Sequence, residues 1–410
     1  MRLRNIELFA GAGGLLDGFE QTDNYELIAA VEWLKPQCRT LKHRLENKYN
    51  MKNADEKILN FDIQRTEALI NGWKNDKDFG SHKGLDSLVS NKQVDVISGG
   101  PPCQAYSLAG RIRDENGMRN DYRNFLFESY IRLVKHYRPQ IIVFENVEGM
   151  LSAAPDGELI VNKIRKGFDD IGYEIVDDLR KYALQNLVEY GVPQYRKRLI
   201  IIGIRRDNNS INYQNILHDF YKNILTKYKE KQRNVRDAIS DLPPIYPLSE
   251  PTKRKAYTND SNINGHYSRY HNPRDKRIFS ILAQDVLNGT TKYSSAEALK
   301  ELYYQQTGKK SNVHKYHVLN WDKPSTTIPA HLKKDGLRHI HPDPKQMRSI
   351  TVREAARIQT FSDDFEFNES MGSSFEMIGN AVPPYFAKKL GEAVIELYNE
   401  LNKIHEDEEK

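Results

Sequence analysis

The run Val94 to Ile97 leads directly into Ser98-Gly99-Gly100-Pro101-Pro102-Cys103-Gln104-Ala105-Tyr106-Ser107, and no other part of the chain narrows the possible folds as much. A short apolar run reads as a buried strand. Two glycines and two prolines after it describe a rigid turn, because proline fixes φ and glycine admits angles closed to other residues. In an open α/β sheet, ligands collect beyond the carboxyl ends of the strands. Cys103 stands at such an end and is a candidate nucleophile. A free cysteine is more often a small buried hydrophobe; the chemistry flanking this one argues the other way.

Composition removes several alternatives. A chain of 410 residues can bury a large core and is expected to hold two domains. It contains no apolar run of the roughly 18 to 20 residues needed to span a bilayer and no signal-peptide pattern, so a cytoplasmic location without membrane attachment is expected. Its two cysteines, Cys38 and Cys103, are too few for a disulfide framework or a cysteine-based metal site. Cys38 reads as structural. Histidines 314, 317, 331, 339 and 341 lack the spacing of metal ligands, and no metal is expected.

Charge is unevenly placed. Residues 208–348 carry 24 Lys and Arg against 13 Asp and Glu, while the whole chain is only +5. The same segment holds eight of the 12 histidines and 14 aromatic residues. Basic charge interleaved with aromatic rings suits a polyanion with stackable bases, although a solvated lysine-rich surface would give the same count.

Other strand ends repeat the opening pattern. Asn5 to Phe9 reads as a strand, and Ala10-Gly11-Ala12-Gly13-Gly14 turns sharply into a helix starting near Leu15. The spacing is not that of the dinucleotide-binding glycine motif. A second strand, Leu27 to Val31, ends in Glu32-Trp33, with Glu32 nineteen residues after Gly13. That spacing suits a carboxylate accepting ribose hydroxyls. Trp33 could cover an adenine face, and Asp62 in Phe61-Asp62-Ile63 offers a carboxylate to an adenine amino group. Residues 71–93 read as a polar surface insertion with no assigned function.

Leu108 to Tyr122, which carries Arg111, Arg113 and Arg119 together with Gly110 and Gly117, reads as a mobile basic loop. A helix is expected from Asn124 to Tyr137, then a strand from Gln140 to Phe144 that ends in Glu145-Asn146-Val147. A carboxylate there is costly unless bonded or functional. Alternation in Gln194-Tyr195-Arg196-Lys197-Arg198 puts Gln194, Arg196 and Arg198 on one side of an extended backbone. Tyr267 to Arg274 is a candidate base-reading loop, since Arg and Asn can bond guanine and adenine bidentately. Thr351 and Glu354 are spaced as a capping box, and a helix with apolar positions from Phe386 to Leu401 follows Ile378-Gly379-Asn380-Ala381-Val382-Pro383-Pro384.

Taken in order, Phe9-Ala10-Gly11-Ala12-Gly13-Gly14, Pro101-Pro102-Cys103-Gln104, Glu145-Asn146-Val147, the Gln-x-Arg-x-Arg run and the blocks around residues 349–359 and 378–384 resemble the DNA cytosine-C5 methyltransferases of bacterial restriction-modification systems. Glu7 stands where most members have aspartate. The resemblance implies a Rossmann-like S-adenosylmethionine-dependent α/β fold with a second, smaller target-recognition domain. Residues 1–207 would form the catalytic and cofactor-binding domain, 208–348 the recognition domain, and 349–410 a segment returning to the first. It implies Cys103, Glu145, Arg196 and Arg198 as catalytic residues. It further implies Phe9, Gly11, Gly13, Gly14, Glu32, Trp33, Asp62, Ile63, Pro102 and Asn380 as the S-adenosylmethionine site. The expected substrate is a cytosine flipped out of double-stranded DNA. Expected too are a monomer and a functional pairing with a restriction endonuclease without stable binding. A tRNA cytosine methyltransferase of the same fold, or a non-catalytic DNA-binding protein on this scaffold, are the competing expectations.

Overall fold

The computed structural model describes residues 2–102, 126–155, 157–253, 255–258, 261–311 and 315–408. Its sheet is laid down by five strands that are largely buried: β1 (Leu3–Leu8), β2 (Tyr25–Glu32), β3 (Ile58–Asn60), β6 (Val96–Gly99) and β7 (Ile141–Val147). Strands buried on both faces are typical of parallel pairing. These strands do so in the order β3-β2-β1-β6-β7. Beyond β7 the sheet becomes antiparallel, with β10 (Lys197–Arg205) pairing both β7 and β8 (Tyr173–Ile175), and β9 (Leu184–Asn186) also on β10. A separate hairpin joins β4 (Trp73–Asp76) and β5 (Gly80–His82). The strand order reverses direction at the β1–β6 pair, the place where open α/β sheets form their ligand crevice. This is the expected Rossmann-like α/β arrangement.

The chain divides into two compact units: residues 1–190, 197–230 and 382–410, and residues 191–196 and 231–381. The C-terminal helix Pro384–Glu408 packs on the Gly14–Glu20 helix in the first unit, where the Tyr25 hydroxyl donates to the Gly391 carbonyl at 2.9 Å. Both boundaries of the expected recognition domain shift. Residues 208–230 stay with the sheet, because the Tyr221 hydroxyl donates to the Ile200 carbonyl and accepts from the Ile202 amide of β10. Residues 349–381 stay with the second unit, because Arg353 donates to the carbonyls of Asn264 and Phe365.

The second unit has an apolar centre between the helices Pro273–Asn288 and Ala296–Thr307, with Phe279, Leu282, Leu299, Leu302 and Ile340 buried together. Beside it lies a polar interior. Arg348 and Glu354, each 1% exposed, form a bidentate pair at 2.7 and 2.6 Å. The same carboxylate accepts the Thr351 amide and the Thr351 hydroxyl accepts the Glu354 amide, the capping box read from the sequence. His271 Nε2 accepts the Ser349 amide, and His341 Nδ1 accepts the Asp343 amide. A ring nitrogen that accepts carries no proton, so both rings are neutral here.

Burial pushes three of these histidines down, His271 and His341 to about 3 and His339 to about 4. The unfolded chain, with histidine near the ordinary value of about 6.5, then binds more protons than the folded one between that value and about 3 to 4. Stability is therefore full above pH ~6.5 and falls below it, by up to about 1.4 kcal/mol per pH unit for each histidine. Urea-unfolding midpoints between pH 7.5 and 4.5 should drop on acidification, and less steeply in His271→Asn. A midpoint independent of pH across that range would contradict the assignment.

Candidate active site

Three strand ends of the first unit build one side of the site. At the end of β1, Phe9 adopts φ 56 and Gly11 and Gly13 adopt φ 58 and 89. A bulky residue in the left-handed region is strained, and such strain persists where the surroundings hold it. Space for a Cβ at Gly11 is open, and Gly13 and Gly14 begin the Gly14–Glu20 helix. Glu32, ending β2, accepts the Gly11 amide on one oxygen at 2.8 Å and the Leu34 amide on the other at 2.7 Å. A carboxylate offers about four acceptor directions, so capacity remains here for a ligand hydroxyl. Burial raises the Glu32 carboxyl, with the backbone amides of Leu34, Gly11 and Trp33 opposing.

The Trp33 ring beside it is 50% exposed. Parallel pairing of Glu32 with Asn60 brings the end of β3 alongside, and the Asn60 amide donates to the carbonyls of Glu32 and Trp33. Asp62 and Ile63 follow, Asp62 half-buried and accepting the Gln64 amide at 3.0 Å, Ile63 buried. Behind the glycine turn, Glu7 is 1% exposed, and burial pushes its carboxyl well above the usual range.

The ends of β6 and β7 build the other side. Gly99 pairs with Leu8 on one neighbour and Phe144 on the other, and a Cβ at Gly99 would collide with the Leu8 carbonyl oxygen. A Cβ at Gly100 would lie 2.5 Å from Glu145 Oε2. The chain thus runs against the Glu145 carboxylate as it leaves the sheet. The Asn146 side chain, 1% exposed, donates to the Pro101 carbonyl at 3.1 Å and fixes the turn that ends in the exposed Pro102. From β10, Arg198 places Nε 2.8 Å from Glu145 Oε1, both side chains about one-tenth exposed. A carboxylate with a guanidinium partner beside a rigid turn is equipped to hold or exchange a proton with a bound heterocycle.

The sequence pattern of the C-5 cytosine-specific DNA methylases matches residues 3–396. The chain belongs to this family. Among its methyltransferase relatives, M.Bpa9945I of Bacillus paralicheniformis, a Type II enzyme, is 31% identical over 96% of this chain and 99% of its own. The Type II methyltransferase M.DdeI of Desulfomicrobium norvegicum is 30% identical over 98% and 90%. In fold the chain is similar to a methyltransferase structure from S. pombe, Dnmt2, with a TM-score of 0.54, 14% identity and coverage of 98% and 100%. It is similar also to the Entamoeba histolytica methyltransferase EhMeth, with a TM-score of 0.55, 17% identity and coverage of 98% and 99%. The protein is a DNA cytosine-5-methyltransferase.

Cys103 and the expected loop at Leu108 to Tyr122 lie outside the described residues. Of the family's other expected catalytic groups, Glu145 and Arg198 meet, and Arg196 is bonded to backbone. Its guanidinium, 1% exposed, donates to the carbonyls of Ile328, Gly379 and Ala381 within the second unit. The strict alternation expected of Gln194, Arg196 and Arg198 fails because β10 begins only at Lys197. Upstream, Gln194 bridges to Ser325, accepts the Ile328 amide and donates to the Gln359 side chain. Gln194 and Arg196 tie together segments of the second unit. Asn380 closes the Met371–Asn380 helix of the second unit with an exposed side chain.

In the candidate base-reading loop, Asn272 caps the Pro273–Asn288 helix, Arg269 lies over the Phe375 ring and donates to the Leu332 carbonyl, and Arg274 pairs with Asp275. Tyr267, Tyr270 and Pro273 are its exposed members. Cys38 donates to the Glu32 carbonyl, and burial pushes its thiol up to about 12, which leaves it inert. Sequence reading missed Asn60 as a tie between strand ends and Asn146 as the pin on Pro101; an asparagine at the end of an apolar strand was the signal for both.

Gly100→Ala tests the contact between turn and carboxylate. The added methyl must displace Glu145 or the turn, and misplacement by about 1 Å can cost roughly 100-fold in rate. Methyl incorporation into DNA should fall by about that factor while the far-ultraviolet circular dichroism stays unchanged. A wild-type rate would remove Glu145 from its assigned geometry.

Proposed function

We propose that this enzyme methylates carbon 5 of a cytosine flipped out of duplex DNA, through a covalent adduct with Cys103, within one short recognition sequence. The observation that carries the reading is the placement of Glu145, with Arg198 beside it, against the Gly100-Pro101 turn that leads to Cys103. Carbon 5 of cytosine is too weak a nucleophile while the ring is aromatic. Addition of the Cys103 thiolate to carbon 6 removes that obstacle, and Glu145 donates a proton at ring nitrogen 3 to take up the displaced charge. Arg198 holds the Glu145 carboxyl and the neighbouring cytosine oxygen. Once carbon 5 carries the methyl group, loss of its proton to a base restores the ring and expels Cys103.

The donors at the strand ends fit S-adenosylmethionine. Glu32 retains acceptor capacity for the ribose hydroxyls, Trp33 and Ile63 offer apolar faces to adenine, and Asp62 accepts from its amino group. Phe9, Gly11, Gly13 and Gly14 leave room for the methionine portion and, with Pro102, complete the set. Bound there, S-adenosylmethionine would supply an electrophilic methyl group on sulfur. Extrusion of the target base costs a few kcal/mol, which phosphate contacts from the basic segment would offset. The Type II names of the relatives support a role in protecting host DNA from a restriction endonuclease that reads the same site, without stable binding between the two. Among the described residues no helix is long and apolar enough to cross a membrane; a cytoplasmic monomer fits this role.

Incubating a plasmid library with labelled S-adenosylmethionine and either wild type or Cys103→Ala tests the reading. Label should appear at carbon 5 of cytosines within one short motif and be absent with the variant. If wild type labels tRNA but not the plasmids, the RNA reading replaces this one; if it binds duplex but neither binds nor consumes the cofactor, the binding-only reading does.

A further inference from the structure

The segment expected to be a functionless surface insertion has a buried centre. Trp73, at the start of β4, is 7% exposed and stacks on Phe61 with centroids 3.9 Å apart and planes at 22°. Phe79, in the turn of the hairpin, meets the same Phe61 ring edge-on at 5.2 Å, and its carbonyl accepts the Trp73 indole at 3.2 Å. Asp76, at the end of β4, pairs with Arg65 at 2.6 Å, and the Arg65 guanidinium lies 4.6 Å from the Phe61 ring centre. On its other side the hairpin is tied down through His82, which bonds the Glu56 carbonyl and accepts the Gly84 amide.

Phe61 and Arg65 are the residues on either side of Asp62-Ile63-Gln64. Hydrogen bonds at this turn run through the backbone and the Asp62 and Thr66 side chains: Asp62 accepts the Gln64 amide on its side chain and the Arg65 amide on its carbonyl, the Ile63 carbonyl accepts the Thr66 hydroxyl, and the Phe61 amide donates to the Glu32 carbonyl. None of them fixes the Phe61 ring or the Arg65 guanidinium; the stacked and edge-on rings and the Asp76 ion pair do. Resting on the proposed cofactor pocket, we infer that the β4–β5 hairpin is a positioning element for S-adenosylmethionine: Trp73, Phe79 and Asp76 clamp Phe61 and Arg65 and so hold Asp62 and Ile63 where the adenine is read. None of the three hairpin residues touches the cofactor; each acts through the residues that flank the reading pair.

The test separates this role from general stability. Calorimetric titration of the whole enzyme with S-adenosylmethionine should show Trp73→Leu weakened by about tenfold, Phe79→Ala and Asp76→Asn by roughly threefold, and Trp73→Phe close to wild type because a flat ring remains. Turnover at saturating cofactor should change less than about twofold and the KM for DNA should not move. Should Trp73→Leu fail to fold, Phe79→Ala and Asp76→Asn decide. Wild-type cofactor affinity in the folded variants would overturn the inference alone. Parallel losses in turnover and DNA KM would overturn it too, by making the hairpin merely structural. If wild type itself does not bind S-adenosylmethionine, the pocket reading falls first and this inference with it.

Discussion

The site depends on a steric constraint at the end of β6, where the backbone passes between the Leu8 carbonyl and the Glu145 carboxylate with no room for a side chain at Gly99 or Gly100. Everything catalytic follows from that passage. Because β6 lies between β1 and β7, the turn leaving it has the glycine turn of Phe9 to Gly13 on one flank and Glu145 on the other. On the proposed mechanism, a nucleophile delivered by this turn would be set between the cofactor and the proton donor without any long-range adjustment. The prolines and the Asn146 bond to Pro101 remove the freedom that two glycines would otherwise give.

Two arginines two residues apart show how strongly context decides the use of a charge. Arg198 stays partly solvated and meets a carboxylate, so its charge is available to chemistry. Arg196 is buried and meets carbonyl oxygens, so its charge is spent satisfying the backbone of residues 328, 379 and 381. A buried guanidinium is tolerated only when its donors find acceptors. The same rule explains the second unit's interior, where Arg348 pairs with Glu354 and four buried histidines, His266, His271, His339 and His341, are each bonded to backbone. Histidine counts in a basic segment are therefore poor guides to a nucleic-acid face; these four are packing residues.

The parts legible in the sequence are those encoded within about ten consecutive residues. A strand followed by Gly-Gly-Pro-Pro, a carboxylate ending an apolar run at Glu145, and Thr351 with Glu354 as a cap all depend on neighbours in the chain, and the fold has each of them. What escaped depends on partners far away in sequence. Trp73 looked like one aromatic in a polar stretch because Phe61 lies twelve residues upstream across a helix. The second unit's limits differ from those expected of a recognition domain, because Tyr221 and Arg353 are tied by side-chain bonds to β10 and to residue 264. Asn272 and Arg274 carry the residue types of base readers but are held by a helix start. Residue type suggests a contact; only packing decides which partner receives it.

Glu32 shows how the cofactor side is held together. By accepting the Gly11 and Leu34 amides, one on each oxygen, it ties the glycine turn after β1 to the end of its own strand. Burial favours its protonated form, and those amides favour the ionised form. Ligand hydroxyls donating to the remaining lone pairs would add to the second effect. Binding of a ribose at the proposed site and ionisation of Glu32 would then be coupled, each favouring the other. A carboxylate committed to the backbone before the ligand arrives is already oriented, so a ribose bound there would meet acceptors that need no rearrangement. The Phe61 clamp does the same for Asp62 with aromatic packing in place of hydrogen bonds. The two carboxylates of the pocket are thus fixed by different physical means, one by backbone amides along the sheet edge and the other by a hairpin added outside it.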